Sequence, residues 1–139
     1  MASAPGRSTT KSVTIDRPAD VVHRFLAQPE SWPRWAVVNI LAVEPTAETE
    51  WWDPSTPDGP AQFRIRADAA TGIVDHDFRF DDELATVPAR VAANGRGADF
   101  VVTIVQPSDV TDGGFRALLE SVDTELATLK ALFESDHTV

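Results

Sequence analysis

The sequence predicts an α+β domain in which a curved antiparallel sheet of about six to seven strands wraps around one long C-terminal helix, with two short helices after the first strand. Three observations carry this reading. Phe115, Leu118, Leu119, Val122, Leu126, Leu129 and Phe133 recur at three- and four-residue steps, which is the apolar stripe of an amphipathic helix. Such a helix, running from about residue 111 or 112 to 134, makes a rod of roughly 35 Å, long enough to cross a sheet. Four strand-like segments, residues 61–67, 72–80, 84–93 and 98–106, are separated by short polar turns and read as a meander of hairpins. Finally, hairpin registers placed turn by turn agree on a single apolar face.

Taken in order, residues 11–15 (KSVTI) alternate as a first strand after a small, polar stretch read as a disordered tail over residues 1–10. Asp16 offers an N-cap and Pro18 an early helical position. Val21, Val22, Phe25 and Leu26 then form the apolar face of a first helix, with His23 and Arg24 on its polar side and Pro29 as its stop. Residues 30–35 (ESWPRW) form a short second helix or turn carrying Trp32 and Trp35. A β-rich run follows at residues 37–44, a shorter strand near 49–52, and a loop at 53–60 (DPSTPDGP). Trp51 and Trp52 are adjacent, so in a strand they face opposite sides.

The hairpins can be registered on paper. A turn near Ala69–Ala70 pairs Phe63 with His76, Ile65 with Val74 and Ala67 with Gly72. A turn at Asp81–Asp82 pairs Phe78 with Ala85, His76 with Val87 and Val74 with Ala89. A turn at Gly95–Arg96 pairs Val91 with Phe100, Ala89 with Val102 and Val87 with Ile104. Because side chains alternate, all of these fall on one face. The other face receives Arg64 opposite Asp75, Gln62 opposite Asp77, and Ile73 opposite Arg90. His76 is the polar group in the middle of the apolar face.

Composition narrows the function. At 139 residues the chain fits one domain, read as residues 11–136. It has no cysteine, so disulfides, thiolate metal sites and cysteine nucleophiles are excluded. His23, His76 and His137 fall on a helix, a strand and a tail, which is not metal-ligand spacing, so no metal and no cofactor is expected. A net charge of −10 with no basic stripe argues against nucleic acid. No apolar run is long enough to insert in a membrane, and with no signal-like h-region the cytoplasm is the expected compartment. The acidic group Asp75, Asp77, Asp81, Asp82 and Glu83 reads as an exposed edge and turn, and Gly95–Gly97 as a hairpin turn instead of a phosphate cradle.

Three stretches resemble a known superfamily. VTIDRPADVVHRFLAQPESWPRW (residues 13–35), GIVDH (72–76) and LATLKALF (126–133) are similar to the opening, a central strand and the final helix of bacterial members of the SRPBCC group, which includes START, birch-pollen-allergen and polyketide-cyclase domains. The resemblance covers residues 11 to 135. It implies a helix-grip fold with a cavity of about 300 Å³ or more between helix and sheet, at the lower end for small-molecule sites. It further implies a small apolar or amphipathic ligand, and a natural-product enzyme of the polyketide cyclase or dehydratase kind. A non-catalytic carrier or sensor, or a co-chaperone-like interaction module, is the alternative, since one fold hosts many functions.

The expected ligand-binding residues are Trp32, Trp35, Phe63, Ile65, Phe78, Val87, Phe100, Val102, Phe115, Leu119 and Val122, with Asn39 and Gln106 as polar groups at the rim. His76 is the catalytic candidate, because burial keeps an imidazole neutral and able to exchange a proton. It reads first as a hydrogen-bonded core histidine, and also as a ligand-orienting group. Val101 and Val105, outward with Asp99 and Thr103, make a homodimer contact one reading of the outer face.

Overall fold

The computed structural model describes residues 4–57, 59–81 and 83–135, so Asp82 and His137 lie outside the described residues. Among these residues the chain runs β1 (Ser8–Ile15), α1 (Ala19–Leu26), a 3₁₀ segment (Pro29–Arg34), β2 (Ala42–Pro45), β3 (Trp52–Ser55), β4 (Gln62–Asp68), β5 (Ile73–Phe80), β6 (Glu83–Val87), β7 (Ala89–Asn94), β8 (Gly97–Val105) and α2 (Asp112–Ser135). The strands form one eight-stranded sheet in the order β1-β8-β7-β5-β4-β3-β2, with β6 paired to β5. β1 begins at Ser8, ahead of the expected Lys11, because its backbone stays in register with β8 out to Val105.

The expected strand over 84–93 is two strands. Pro88 has no N–H to give a ladder, and its carbonyl instead accepts from the Thr103 amide at 3.0 Å. The β5–β6 register, His76 opposite Val87 and Phe78 opposite Ala85, is as expected. So is the β7–β8 register, with Val91 opposite Phe100.

The β4–β5 register differs by two residues. Phe63 lies opposite Phe78, Ile65 opposite His76 and Ala67 opposite Val74. The cause is a longer turn: Asp68 pairs with Ile73, and the Asp68 carbonyl and carboxylate accept from the amides of Gly72 at 2.9 Å and Ala70 at 3.0 Å. Gly72 has φ +81°, and a Cβ there would stand 2.1 Å from the Val91 carbonyl oxygen, so only glycine fits. A two-residue shift leaves every side chain on its expected face.

That shift places Arg64 opposite Asp77, and Arg66 opposite Asp75. Asp77 is fully buried on the outer face, contrary to the exposed acidic edge expected of it. Its carboxylate accepts from Arg64 Nε and Nη2 (3.0 and 2.8 Å), Arg66 Nε and Nη2 (2.9 and 3.1 Å) and Thr86 Oγ1 (2.6 Å). Burial pushes the carboxyl up, but the hydrogen bonds from Arg66, Thr86 and Arg64 outweigh it and hold the group at about 2. The arginine side chains cover the charge that they neutralise. Beside them the Arg64 and Arg79 guanidiniums both lie over the Trp51 ring, 4.5 and 4.1 Å from its centroid, while Trp52 packs toward the core.

Other local expectations change for stated reasons. Asp16 does not cap α1; Pro18 stands at the N-cap without a side-chain bond, and the Asp16 carboxylate is paired with Arg96 at 2.8 Å. His23 is buried, with Nε2 donating to the Ile73 carbonyl at 3.0 Å. Residues 53–55, expected in a loop, form most of β3. Residues 37–41, expected as strand, form a turn, with the Ile40 amide donating to the Ala36 carbonyl at 2.8 Å. Val101 is half-buried and Val105 is exposed on the outer face of β8.

Candidate ligand site

The inner face of the sheet meets α1, the 3₁₀ segment and α2 in one core that includes Trp32, Trp35, Phe63, Phe100, Val102, Phe115 and Val122. Within it Trp32 of the 3₁₀ segment and Trp35 at its end lie across β4, β5 and β8. Trp32 lies 4.6 Å from Trp35, 5.0 Å from Phe63 and 4.7 Å from His76, centroid to centroid. Trp35 stands edge-on to Phe100 at 5.9 Å, and Phe78 lies 5.3 Å from Phe63. Ile65 and Val87 are half-buried and flank His76 as its cross-strand neighbours on either side. The structure thus gathers Trp32, Trp35, Phe63, Ile65, His76, Phe78, Val87 and Phe100 into one cluster. Phe115 and Leu119 instead border a groove of about 190 Å³ at the start of α2, shared with Arg7, Thr9, Asp112 and Arg116.

A second depression of about 320 Å³ lies at the other end of α2, lined by Asp16, Arg17, Phe133 and Glu134. The first groove runs between the start of α2 and the edge strand β1, and the second between the end of α2 and the segment after β1. On the inner face the rings of Phe63, Trp32, Trp35 and Phe100 touch in that order as a chain, since Trp32 of the 3₁₀ segment and Trp35 at its end reach across to the strands.

Two polar atoms interrupt this greasy cluster. The Trp32 Nε1 donates to the Leu26 carbonyl at 2.9 Å, but the Trp35 Nε1 is buried with no hydrogen-bond partner among the described residues. A buried donor without an acceptor costs roughly 1–3 kcal/mol. His76 is 6% exposed, and burial lowers its ring to about 4 against small opposing contributions from Val74, Asp75 and Asp77. It is therefore neutral near neutral pH. Its Nδ1 makes a long 3.5 Å bond to the Val74 carbonyl. A carbonyl only accepts, so this contact favours the tautomer with the proton on Nδ1 and the lone pair on Nε2.

The rim candidates resolve differently. Gln106 Nε2 is spent on the Val110 carbonyl at 2.8 Å and the Asp112 carboxylate at 3.1 Å. Asn39 belongs to a buried network centred on Glu125, which the sequence reading passed over. The available signal was an acidic residue inside the apolar stripe, three positions after Val122 and one before Leu126. Glu125 is 6% exposed. Burial pushes its carboxyl above the usual carboxylate range, while hydrogen bonds from Asn39 and Val38 draw it part of the way back.

No family model and no curated protein matches the chain. Solved structures do. XoxI from Bacillus cereus superposes with a TM-score of 0.73 at 16% identity, over 95% of this chain and 99% of that one. The di-domain ARO/CYC BexL of the BE-7585A biosynthetic pathway gives 0.71 at 20% identity, over 96% of this chain and 48% of BexL. The Aha1 dimer from Colwellia psychrerythraea gives 0.71 at 11% identity, over 92% and 96%. The chain has a helix-grip α+β fold, shared with these structures. At these identities the likeness is one of fold. Among the described residues of this helix-grip chain no cluster of histidine and carboxylate side chains is placed to hold a metal, and no helix is long and apolar enough to cross a membrane.

Proposed function

We propose that this helix-grip domain takes up a small, largely apolar, planar molecule against Trp32, Trp35 and His76, and acts on it in the manner of a polyketide cyclase or dehydratase. The observation that carries the reading is the unpartnered Trp35 Nε1 donor inside an aromatic cluster that also holds a neutral imidazole. An acceptor oxygen on the ligand would satisfy that donor, and ring faces would stack on Trp32 and Phe63. His76 Nε2 would take a proton from an acidic C–H beside the polarised carbonyl and return it to a departing hydroxyl, which leaves as water. Entry requires the tryptophans to move off the sheet. BexL, an ARO/CYC of a biosynthetic pathway, shares the fold and lends support.

One observation favours a second reading. Trp32 and Trp35 pack directly on Phe63 and Phe100 of the inner face, which suits a module that binds a protein partner through its surface, and the Aha1 dimer has the same fold. Titration of wild type and His76→Ala with flavone, a planar molecule bearing a carbonyl, separates the two readings. The ligand reading expects saturable binding to both proteins, weakened at most about tenfold by the substitution. With a turned-over substrate in hand, His76→Ala would lower turnover by about 10²–10⁴-fold. No saturable binding to the folded wild type refutes the ligand reading.

A further inference from the structure

We propose that Glu125 is a positioning residue: a latch on α2 that holds segment 36–41 closed over the aromatic cluster, so that its release admits the ligand. This rests on the small-molecule reading above and supplies the route of entry that the packed cluster demands.

A carboxylate on the buried stripe of a helix is costly, and packing alone would favour leucine there. Its oxygens are spent wholly on one segment. Oε2 accepts from the backbone amides of Val38 (3.2 Å) and Asn39 (2.9 Å), and Oε1 from Asn39 Nδ2 (3.2 Å). Asn39 Nδ2 also donates to Ser121 Oγ at 3.1 Å, and Ser121 Oγ donates to the Leu118 carbonyl at 2.7 Å. The latch therefore clamps the middle of the segment to about two turns of α2.

Besides the latch, the segment is held by one turn bond, by its two ends and by the burial of Ala36 and Ile40. It is a single turn, closed by Ile40 donating to the Ala36 carbonyl. Its ends are fixed by the Ala36 amide to the Trp32 carbonyl (2.7 Å) and the Leu41 amide to the Ser55 carbonyl (2.8 Å). Ala36 and Ile40 are buried beneath it, while Val37, Val38 and Leu41 are exposed above it. Among the described residues, the amides of Val38 and Asn39 have no acceptor other than Glu125. Trp35, with its unpartnered indole nitrogen, is the residue on which the segment begins. A segment fixed at two ends and latched in the middle is a lid, and lifting it uncovers the core beneath Ala36 and Ile40, beside Trp35.

Glu125→Leu removes the acceptors while suiting the apolar stripe, so the variant keeps its fold. Glu125→Gln keeps one oxygen for the two backbone amides, and Asn39 can turn its own amide to meet the new NH₂. Hydrogen exchange is followed at Val38 and Asn39, with Phe100 and Val102 as core references, and association of anilinonaphthalene sulfonate is followed by stopped flow. In the leucine variant the Val38 and Asn39 amides exchange about tenfold faster or more with the core references unchanged, and the dye associates about tenfold faster. The glutamine variant stays close to wild type in both. Unchanged protection at Val38 and Asn39 in Glu125→Leu overturns the latch. Faster exchange with unchanged dye association overturns the gate. Absence of dye binding in all three proteins, whatever the exchange shows, refutes the small-molecule reading and the gate with it.

Discussion

Acid should unfold this protein partly through one ring. His76 is buried among Trp32, Phe63 and Phe78, and burial holds it at about 4 in the folded chain, against the ordinary 6.5 once unfolded. A depressed value means that the unfolded chain binds the proton first. The contribution is therefore fully present above about pH 6.5 and is lost as the pH falls toward 4. At roughly 1.4 kcal/mol per pH unit, the loss between those limits is about 3 kcal/mol, a large share of the roughly 5–15 kcal/mol that holds a domain together. His76→Leu, apolar and of similar volume, removes the titration and leaves the carboxylates to titrate as before. Urea unfolding of both proteins between about pH 7.5 and 4 isolates the ring as a difference. Wild type should lose about 3 kcal/mol more than the variant across that range. Parallel curves would refute the reasoning, because they would mean that the ring is protonated with equal ease folded and unfolded.

The outer face titrates lower. Asp77 is held at about 2 by its arginines and Thr86, so Asp77→Ala should cost about 2 kcal/mol or more near neutral pH, a loss that wild type itself suffers only as the pH falls from about 4 through 2; a variant that unfolds at the wild-type urea midpoint contradicts the account. Glu125 carries the opposite sign. Its carboxyl is raised by burial, so the charged form is a burden at high pH, and the stability of Glu125→Gln relative to wild type should rise as the pH climbs through the folded value of Glu125. A difference that is flat with pH in paired urea melts contradicts this.

Much of the fold was legible because it rests on periodicities. The stripe from Phe115 to Phe133 needs only the 3.6-residue repeat, and the apolar face through Phe63, His76, Val91 and Phe100 needs only alternation, which survives the two-residue slip at the Asp68–Gly72 turn. What was not legible depends on single atoms far apart in sequence. Residues 37–41 have strand-like composition, yet they turn because a carboxylate 86 residues away accepts from Asn39. Asp77 reads as one of several acidic residues, and its burial follows from arginines on the neighbouring strand reaching over it. The aromatic site divides along the same line. Alternation and helical spacing select the lining residues, but whether tryptophans fill the space or frame it is decided by the angle at which the 3₁₀ segment meets the sheet. No local pattern encodes that angle.

The central claim is that the Trp35 indole awaits an acceptor from a bound molecule. It is tested most directly by following the indole Nε1–H resonances of ¹⁵N-labelled protein during titration with flavone. The account predicts one saturable downfield shift, assigned to Trp35 by its loss in Trp35→Phe, with the Trp32 resonance perturbed by ring stacking and the Trp51 resonance, out beneath its two arginines, unmoved. A Trp35 resonance that stays in place while the titration saturates elsewhere would contradict it.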